Sequence, residues 1–189
     1  MVVTHAAVKP GDVVVVTAAG GGVGLGAVQM AKLSGARVIA LASGDDKLKR
    51  IRELGADETI NYVTDDDWDV TVRRLTGKRG ADVIIETVGE STWAKSIRAL
   101  GKGGRLVTSG ATAGPIGQTD IRYLFRREHR IFGSNGWTHG ELERVAHLAF
   151  AGRLQPVIDR VLPLERVAEG ERALEHRQVF GKVVITPGS

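Results

Sequence analysis

Four glycines stand within five residues, at positions 20, 21, 22 and 24, shortly after a run of four valines at 13–16. Glycine lacks a Cβ atom, so its backbone turns sharply and lets a phosphate group approach the N–H groups. The apolar segment 25–33 has the pattern of a helix, and the N-terminus of such a helix attracts an anion. The spacing therefore predicts a turn that binds the pyrophosphate of a nucleotide.

The turn is not a strict GxGxxG sequence, because Ala19, Gly21 and Gly24 occupy the three glycine positions. A tight strand-to-helix turn that binds no ligand is the alternative interpretation of so short a motif. The order of the surrounding elements decides between the two.

Composition excludes several other kinds of chemistry. The chain has no cysteine, which excludes disulfides, thiolate zinc sites and a cysteine nucleophile within it. Its five histidines lack close metal-ligand spacing, and the acidic run 65–67 is typical of a helix N-terminus, so we predict no metal site. No Ser-His-Asp set, carboxylate pair or P-loop is evident, and we assign no catalytic acid or base.

Net charge and hydropathy indicate which classes of binding partner the chain is suited to. The net charge is +4, but aromatic residues make up only 5% and basic residues are scattered. We therefore predict a small-molecule substrate and no nucleic-acid partner. The longest apolar run is far shorter than a bilayer span, and residues 1–10 lack the pattern of a signal peptide. A cytoplasmic protein without membrane contact is the expectation.

Strand and helix patterns alternate along the chain. Strands are predicted at 13–16, 37–41, 58–61, 81–86, 104–108 and 130–134, with helical segments between several of them. Because parallel βαβ units cross over right-handedly, this predicts an α/β Rossmann fold, with a doubly wound six-stranded parallel sheet and helices on both faces. The expected strand order is 3-2-1-4-5-6, with a Rossmann domain over 1–135 and a C-terminal helical and strand segment over 136–189.

Several motifs in their order along the chain resemble one family. They are the segments 9–12, 18–24, 54–57, 100–107 and 181–185. Together they resemble the medium-chain dehydrogenases/reductases, and Ala19 resembles the branch of quinone oxidoreductases and enoyl reductases. Within the family, the chain is most similar to quinone oxidoreductases or zinc-type alcohol dehydrogenases. The resemblance implies a preceding GroES-like catalytic domain that this sequence lacks, on which segment 136–189 packs. Zinc would be held only through that domain, and we expect the present chain alone to be poorly active.

Cofactor choice depends on the end of the second strand. An acidic residue there would bind the ribose hydroxyls of NAD, but Ala42 occupies the position, followed by Ser43. The resemblance implies that Lys47, Tyr62 and Arg177 hold the 2′-phosphate of NADP(H). The alternatives are a solvated helix lysine, a core tyrosine and a charge near the terminus.

The same resemblance implies nicotinamide contacts and completes the predicted site. Its cofactor-binding residues are Ala19, Gly21, Gly22, Val23, Ser43, Lys47, Tyr62, Val88, Ser109, Gly110, Phe132 and Arg177. The implied function is hydride transfer between NADP(H) and a quinone, carbonyl, activated alkene or alcohol, in a homodimer formed through the strand near residues 131–134. A stand-alone dinucleotide-binding sensor or regulatory module is the alternative function.

Overall fold

A computed structural model describes residues 1–188. Its strands are β1 (Val13–Val16), β2 (Arg37–Ala42), β3 (Glu58–Asn61), β4 (Ala81–Glu86), β5 (Leu100–Thr108), β6 (Arg130–Gly133), β7 (Ile158–Pro163) and β8 (Lys182–Thr186). Its helices are α1 (Gly22–Leu33), α2 (Asp45–Glu53), α3 (Trp68–Leu75), α4 (Glu90–Ala99), α5 (Ile121–Arg127), α6 (His139–Phe150) and α7 (Val167–Glu175), the last preceded by a 3-10 turn at Leu164–Arg166.

The first six strands form one parallel sheet in the order β3-β2-β1-β4-β5-β6. This confirms the predicted doubly wound fold and its strand order. The order reverses between β1 and β4, and in such sheets the carboxyl ends of the strands at this point border the ligand crevice. The glycine turn follows β1 at that edge.

The run of valines at β1 is explained by burial on both faces of the sheet. Val14 and Val16 belong to one apolar core, which α1 and α2 cover, and Val13 and Val15 belong to a second core, which α3 and α4 cover. All four side chains are buried. Helices therefore cover both faces, as predicted, and a β-branched run suits a strand that has no solvent-facing side.

Two elements differ from the sequence prediction. Helix α4 was not predicted, because its sequence mixes polar residues with only a few apolar ones. Strand β5 begins at Leu100, four residues before the predicted start at position 104, with a register shift against β4. Its early part is rich in glycine, a residue that is uncommon in strands. The glycines are explained by a close contact between Gly101 of β5 and Gly80, which immediately precedes β4: a Cβ on Gly80 would lie 2.6 Å from the backbone nitrogen of Gly101. The two backbones approach closely there, and only glycine permits it.

The C-terminal part of the chain forms a second, two-stranded parallel sheet of β7 and β8. This C-terminal part contacts the glycine turn and α1. A β-bridge joins Gly21 to Gly181, and two hydrogen bonds join Gln29 to Gln155. Phe180 is buried in the core that α1 and α2 cover. The boundary predicted at 135/136 stays a prediction, but the last strands contribute directly to the surroundings of the glycine turn. Within residues 1–188, no helix combines the length and apolar character that crossing a membrane requires.

Candidate functional site

The glycine turn is built by close approach of backbone segments. Ala18 adopts a left-handed φ of 45°, and its carbonyl accepts a hydrogen bond from the N–H of Gly21 at 3.0 Å. A Cβ on Gly24 would lie 2.5 Å from the Ala18 oxygen and 2.6 Å from the Cα of Ala19. Gly24 is therefore the residue that allows α1 to start against the end of β1.

A lysine from the last strand lies over the N-terminus of α1. The Cε and Nζ atoms of Lys182 lie 2.1 and 2.8 Å from where a Cβ on Gly22 would stand. Within residues 1–188, Lys182 forms no ion pair or side-chain hydrogen bond, and no side chain caps the helix at Gly21. A cation at the positive end of a helix dipole is disfavoured unless an anion lies beside it, so this arrangement fits a bound phosphate.

A cavity of about 760 Å³ opens beside the turn, at the carboxyl ends of β1, β2 and β4. Half of the predicted cofactor-binding residues line it. These are Gly21, Ser43, Lys47, Tyr62, Val88 and Arg177. Ala42 also lines the cavity, so the last residue of β2 carries no carboxylate, while the acidic residues that line the cavity are Asp66 and Glu175. Residues more than a hundred positions apart are thus brought together, as the resemblance implied.

Lys47 connects α2 to the C-terminal loop. Its ammonium donates hydrogen bonds to the carbonyl oxygens of Arg177, at 2.6 Å, and Val179, at 2.9 Å. Burial lowers the pKa of Lys47, and the positive charges of Arg177 and Arg50 lower it further against the opposing effect of Asp159. Lys47 is therefore not a freely solvated helix residue. It holds the loop that carries Arg177 into the cavity.

Ser109 and Gly110 line a second cavity, of about 690 Å³, near the carboxyl ends of β5 and β6. A Cβ on Gly110 would lie 2.8 Å from the carbonyl oxygen of Thr87. Val88 lines the first cavity and Gly89 lines the second, so the short loop 87–89 separates the two. An extended ligand would have to pass this loop to occupy both cavities.

The other four predicted residues line neither cavity. Ala19 is buried, and its N–H donates to the Leu41 carbonyl at 2.8 Å. Gly22 lies under the Lys182 side chain, and Phe132 packs against the core. Val23 is half-exposed and lines a separate apolar groove beside α6. Contacts from these four to a cofactor stay predictions.

Sequence reasoning missed two residues that the structure brings to the turn. Lys182 is the first residue of an apolar strand, and Glu86 is the only charged residue that ends the otherwise apolar segment 83–86. For Glu86 the available signal is a lone charge at the end of a buried strand, and for Lys182 it is a charge at the start of a partly buried apolar strand. Among residues 1–188, no group of three or more His, Cys, Asp or Glu side chains is placed to hold a metal ion.

The strand order, the glycine turn at the order reversal and the lysine- and arginine-lined cavity define a Rossmann-type dinucleotide-binding domain. The chain belongs to the zinc-binding dehydrogenase family, whose sequence pattern matches residues 22–151. This confirms the resemblance to medium-chain dehydrogenases/reductases.

Three relatives illustrate the match. Human quinone oxidoreductase is 31% identical over 187 residues, which are 95% of this chain and 56% of that protein. A crystal structure described as an NAD-dependent alcohol dehydrogenase is 47% identical, with a TM-score of 0.94 over 100% of this chain and 55% of that one. A 2-octenoyl-CoA carboxylase reductase, CinF, in complex with NADP and 2-octenoyl-CoA, is 30% identical, with a TM-score of 0.88 over 96% of this chain and 44% of that one.

The chain spans about half the length of the curated relatives it matches. The cavities described above therefore correspond to one part of such a protein.

Proposed function

We propose that this chain is the NADP(H)-binding portion of an oxidoreductase that transfers hydride between NADP(H) and a quinone, a carbonyl, an activated alkene or an alcohol. The observation that carries the proposal is the cluster of Ser43, Lys47 and Arg177 on one wall of the first cavity, next to a β2 end without a carboxylate. A hydroxyl and two cations suit a 2′-phosphate, whereas an acid would suit the free ribose hydroxyls of NAD.

The residues of this chain fit such a cofactor in separate places. The pyrophosphate would lie at the turn formed by Gly21–Gly24, beside Lys182. The 2′-phosphate would lie in the first cavity, next to Arg177. The cavity beyond loop 87–89, with Ser109 and Gly110, would receive the nicotinamide. The cofactor supplies the hydride, and this chain binds and orients it.

The relatives do not decide between the two cofactors. CinF is described with NADP, but the 47% identical alcohol dehydrogenase is described as NAD-dependent. The preference for NADP(H) therefore rests on the residues at the end of β2 and on Arg177. The substrate, a small molecule in this proposal, is not identified by the cavity residues, and neither a nucleic acid nor a membrane is needed for the proposed function.

Titration of the chain with NADPH and NADH tests the cofactor. We expect NADPH to bind at least about tenfold more tightly, because a charge-assisted hydrogen bond to phosphate contributes roughly 1.5–3 kcal/mol. Ser43→Asp should weaken NADPH binding at least about tenfold by repulsion of the 2′-phosphate and leave NADH binding within about twofold. Ser43→Asn is the matched neutral control and should change both affinities little.

Calorimetry or nucleotide fluorescence measures these dissociation constants. A chain that binds NADH more tightly than NADPH contradicts the assignment of Ser43, Lys47 and Arg177. Tight binding of neither dinucleotide contradicts the proposed function itself.

We also propose that two copies associate through β6. This strand lies at the edge of the six-stranded sheet, where β5 is its one partner within residues 1–188, and Ile131 on it is 37% exposed. Ile121 and Phe125 of α5 add exposed apolar surface. An unpaired strand edge next to such surface favours pairing with a second copy about a two-fold axis.

Light scattering coupled to size exclusion tests the association. The unsubstituted chain should have twice its 20.2 kDa mass, and Ile131→Lys should shift it toward the monomer, because a charge on an edge strand opposes pairing. Ile116→Lys, at a position that is exposed but lies outside β6, is the matched control and should leave the mass unchanged. A monomer at high concentration for the unsubstituted chain refutes the proposed dimer.

A further inference from the structure

We propose that Glu86 is the positioning residue of the nicotinamide half of the site. Its buried carboxylate would fix loop 87–89 and, through this loop, the segment that lines the second cavity. The inference rests on the proposed dinucleotide function. It adds a residue that lines neither cavity but holds residues that line both, among them Val88 of the first and Gly89 of the second.

The Glu86 carboxylate is fully buried at the end of β4, where the strand order reverses. Its Oε1 atom accepts hydrogen bonds from the backbone N–H groups of Val88, at 2.7 Å, and Gly89, at 3.2 Å. The same atom accepts from the hydroxyls of Thr17, at 3.2 Å, and Thr92, at 2.9 Å. Its Oε2 atom accepts from the Ser96 hydroxyl at 2.6 Å.

These five donors come from three segments. Thr17 immediately precedes the glycine turn, Val88 and Gly89 form the loop between the cavities, and Thr92 and Ser96 belong to α4. Within residues 1–188, no cation forms an ion pair with Glu86. The carboxylate is balanced by hydrogen bonds and by the N-terminus of α4 alone, which begins after Gly89. One anionic side chain therefore ties the end of β1, the loop and the helix together.

Loop 87–89 in turn holds the segment 109–114. The N–H of Ala113 donates to the Val88 carbonyl at 2.8 Å, and the N–H of Ser109 donates to the backbone carbonyl of Glu86 at 3.1 Å. A Cβ on Gly89 would lie 2.4 Å from the Gly114 oxygen, so the two segments are in close contact. A shift of the loop would move Ser109 and its neighbours in the second cavity.

The arrangement depends on the acceptor oxygens of the carboxylate. Glutamine keeps one of them, and its NH₂ group can donate to the Ser96 hydroxyl, because a hydroxyl accepts as well as donates. Glu86→Gln can therefore keep the loop in place. In Glu86→Met both acceptor oxygens are lost, the N–H groups of Val88 and Gly89 lose their partner, and the loop or the helix has to move.

The residues that would hold the 2′-phosphate should escape this effect, although Thr17, Val88 and Thr92, which donate to Glu86, line the part of the first cavity next to the loop. Ser43, Lys47 and Arg177 make no hydrogen bond to Glu86 or to loop 87–89 within the described chain. A general loss of stability would weaken all ligands alike or none of them. A positioning role for Glu86 instead predicts that a substitution weakens binding of the whole cofactor but not binding of its adenosine half alone.

The experiment compares NADPH with adenosine 2′,5′-bisphosphate, which carries only the adenosine half, at a temperature where every variant is folded by circular dichroism. For Glu86→Met we expect the dissociation constant of NADPH to rise at least about tenfold, because small displacements of positioning groups have large effects. The constant of the bisphosphate should stay within about twofold, since it does not extend past the loop.

Val83→Ala is the matched control. Val83 is fully buried in the same strand and lines neither cavity, so the substitution lowers stability without touching the loop. It should leave both dissociation constants within about twofold. Should Glu86→Met fail to fold, Ser96→Ala removes the one donor to Oε2 found among residues 1–188, from a position outside both cavities, and should weaken NADPH alone, by about threefold.

Equal weakening of both ligands, or NADPH affinities of the Glu86 and Ser96 variants that match the unsubstituted chain, would overturn the inference. These outcomes differ from failure of the proposed function, in which the unsubstituted chain itself does not bind NADPH; that result would overturn both.

Discussion

Replacement of Gly24 by alanine is expected to raise the dissociation constant of NADPH more than about a hundredfold and to lower the melting temperature by roughly 2–12 °C. The added Cβ would stand 2.5 Å from the Ala18 oxygen and 2.6 Å from the Cα of Ala19. Both atoms belong to the backbone of the turn, so neither can rotate away. The N-terminus of α1 must move away from β1, and the N–H groups that would face the pyrophosphate move with it.

Gly26→Ala is the control within the same helix. A Cβ at Gly26 meets no atom within 4 Å outside the local helix backbone. Because alanine is the better helix former by roughly 0.5–1 kcal/mol, this variant should be slightly more stable and bind NADPH normally. Thermal unfolding and nucleotide titration of the two variants give the comparison. If Gly24→Ala bound NADPH as tightly as Gly26→Ala does, the close approach in the turn would have no role in binding.

The order of the strands was predictable because β-branched runs and helical segments alternate, and the handedness of crossovers leaves few topologies. The valines at 13–16 are the plainest example, since four β-branched residues in succession suit only a strand buried on both faces. Strand β7 and helix α4 were not predicted. Helix α4 is mostly polar, and β7 has polar residues between apolar side chains that are themselves exposed, those of Ile158 and Val161. What holds the two elements in place is packing of α4 on the sheet and pairing of β7 with β8.

The site was predictable where local sequence and family resemblance agree, as for Gly21 and Ser43. Neither signal could show that the Lys47 ammonium donates hydrogen bonds to the carbonyls of Arg177 and Val179, because those partners lie about 130 residues further along the chain. The same holds for Glu86, whose donors are scattered from Thr17 to Ser96. Long-range hydrogen bonds that fix a loop produce no regular spacing of residue types, so a sequence pattern does not reveal them.

Lys182→Met is expected to raise the dissociation constant of NADPH by roughly tenfold to a hundredfold at low ionic strength, because it removes a charge-assisted contact worth roughly 1.5–3 kcal/mol. The Lys182 ammonium lies beside Gly22, at the start of α1, and has no ion-pair partner within residues 1–188. A cation placed against the positive end of a helix dipole is stabilised once a phosphate lies between them. Methionine is unbranched and only one atom shorter than lysine, so the substitution removes the ammonium, with its charge and its donors, and keeps most of the apolar side chain.

Two controls separate this contact from other effects. Lys102→Met removes the same charge from a lysine that pairs with Glu128 and lines neither cavity, so NADPH affinity should stay within about twofold of the unsubstituted chain. Gly22→Ala keeps the charge but places a Cβ 2.1 Å from the Cε of Lys182, which must swing away because the surrounding atoms belong to that flexible side chain. It should therefore reproduce part of the loss seen in Lys182→Met without impairing folding.

Salt supplies the decisive comparison for Lys182. The side chain is exposed, so at 0.1 M salt, where the Debye length is about 10 Å, its attraction to a phosphate is partly screened. The gap in NADPH affinity between the unsubstituted chain and Lys182→Met should shrink as salt is raised, whereas the gap for a variant that merely distorts the turn, such as Gly24→Ala, should persist. A Lys182→Met variant whose affinity equals that of the unsubstituted chain at low salt would place the pyrophosphate away from this lysine. Tighter binding in that variant would mean that the ammonium and the N-terminus of α1 face no anion at all, and the glycine turn would then hold the helix without binding the cofactor.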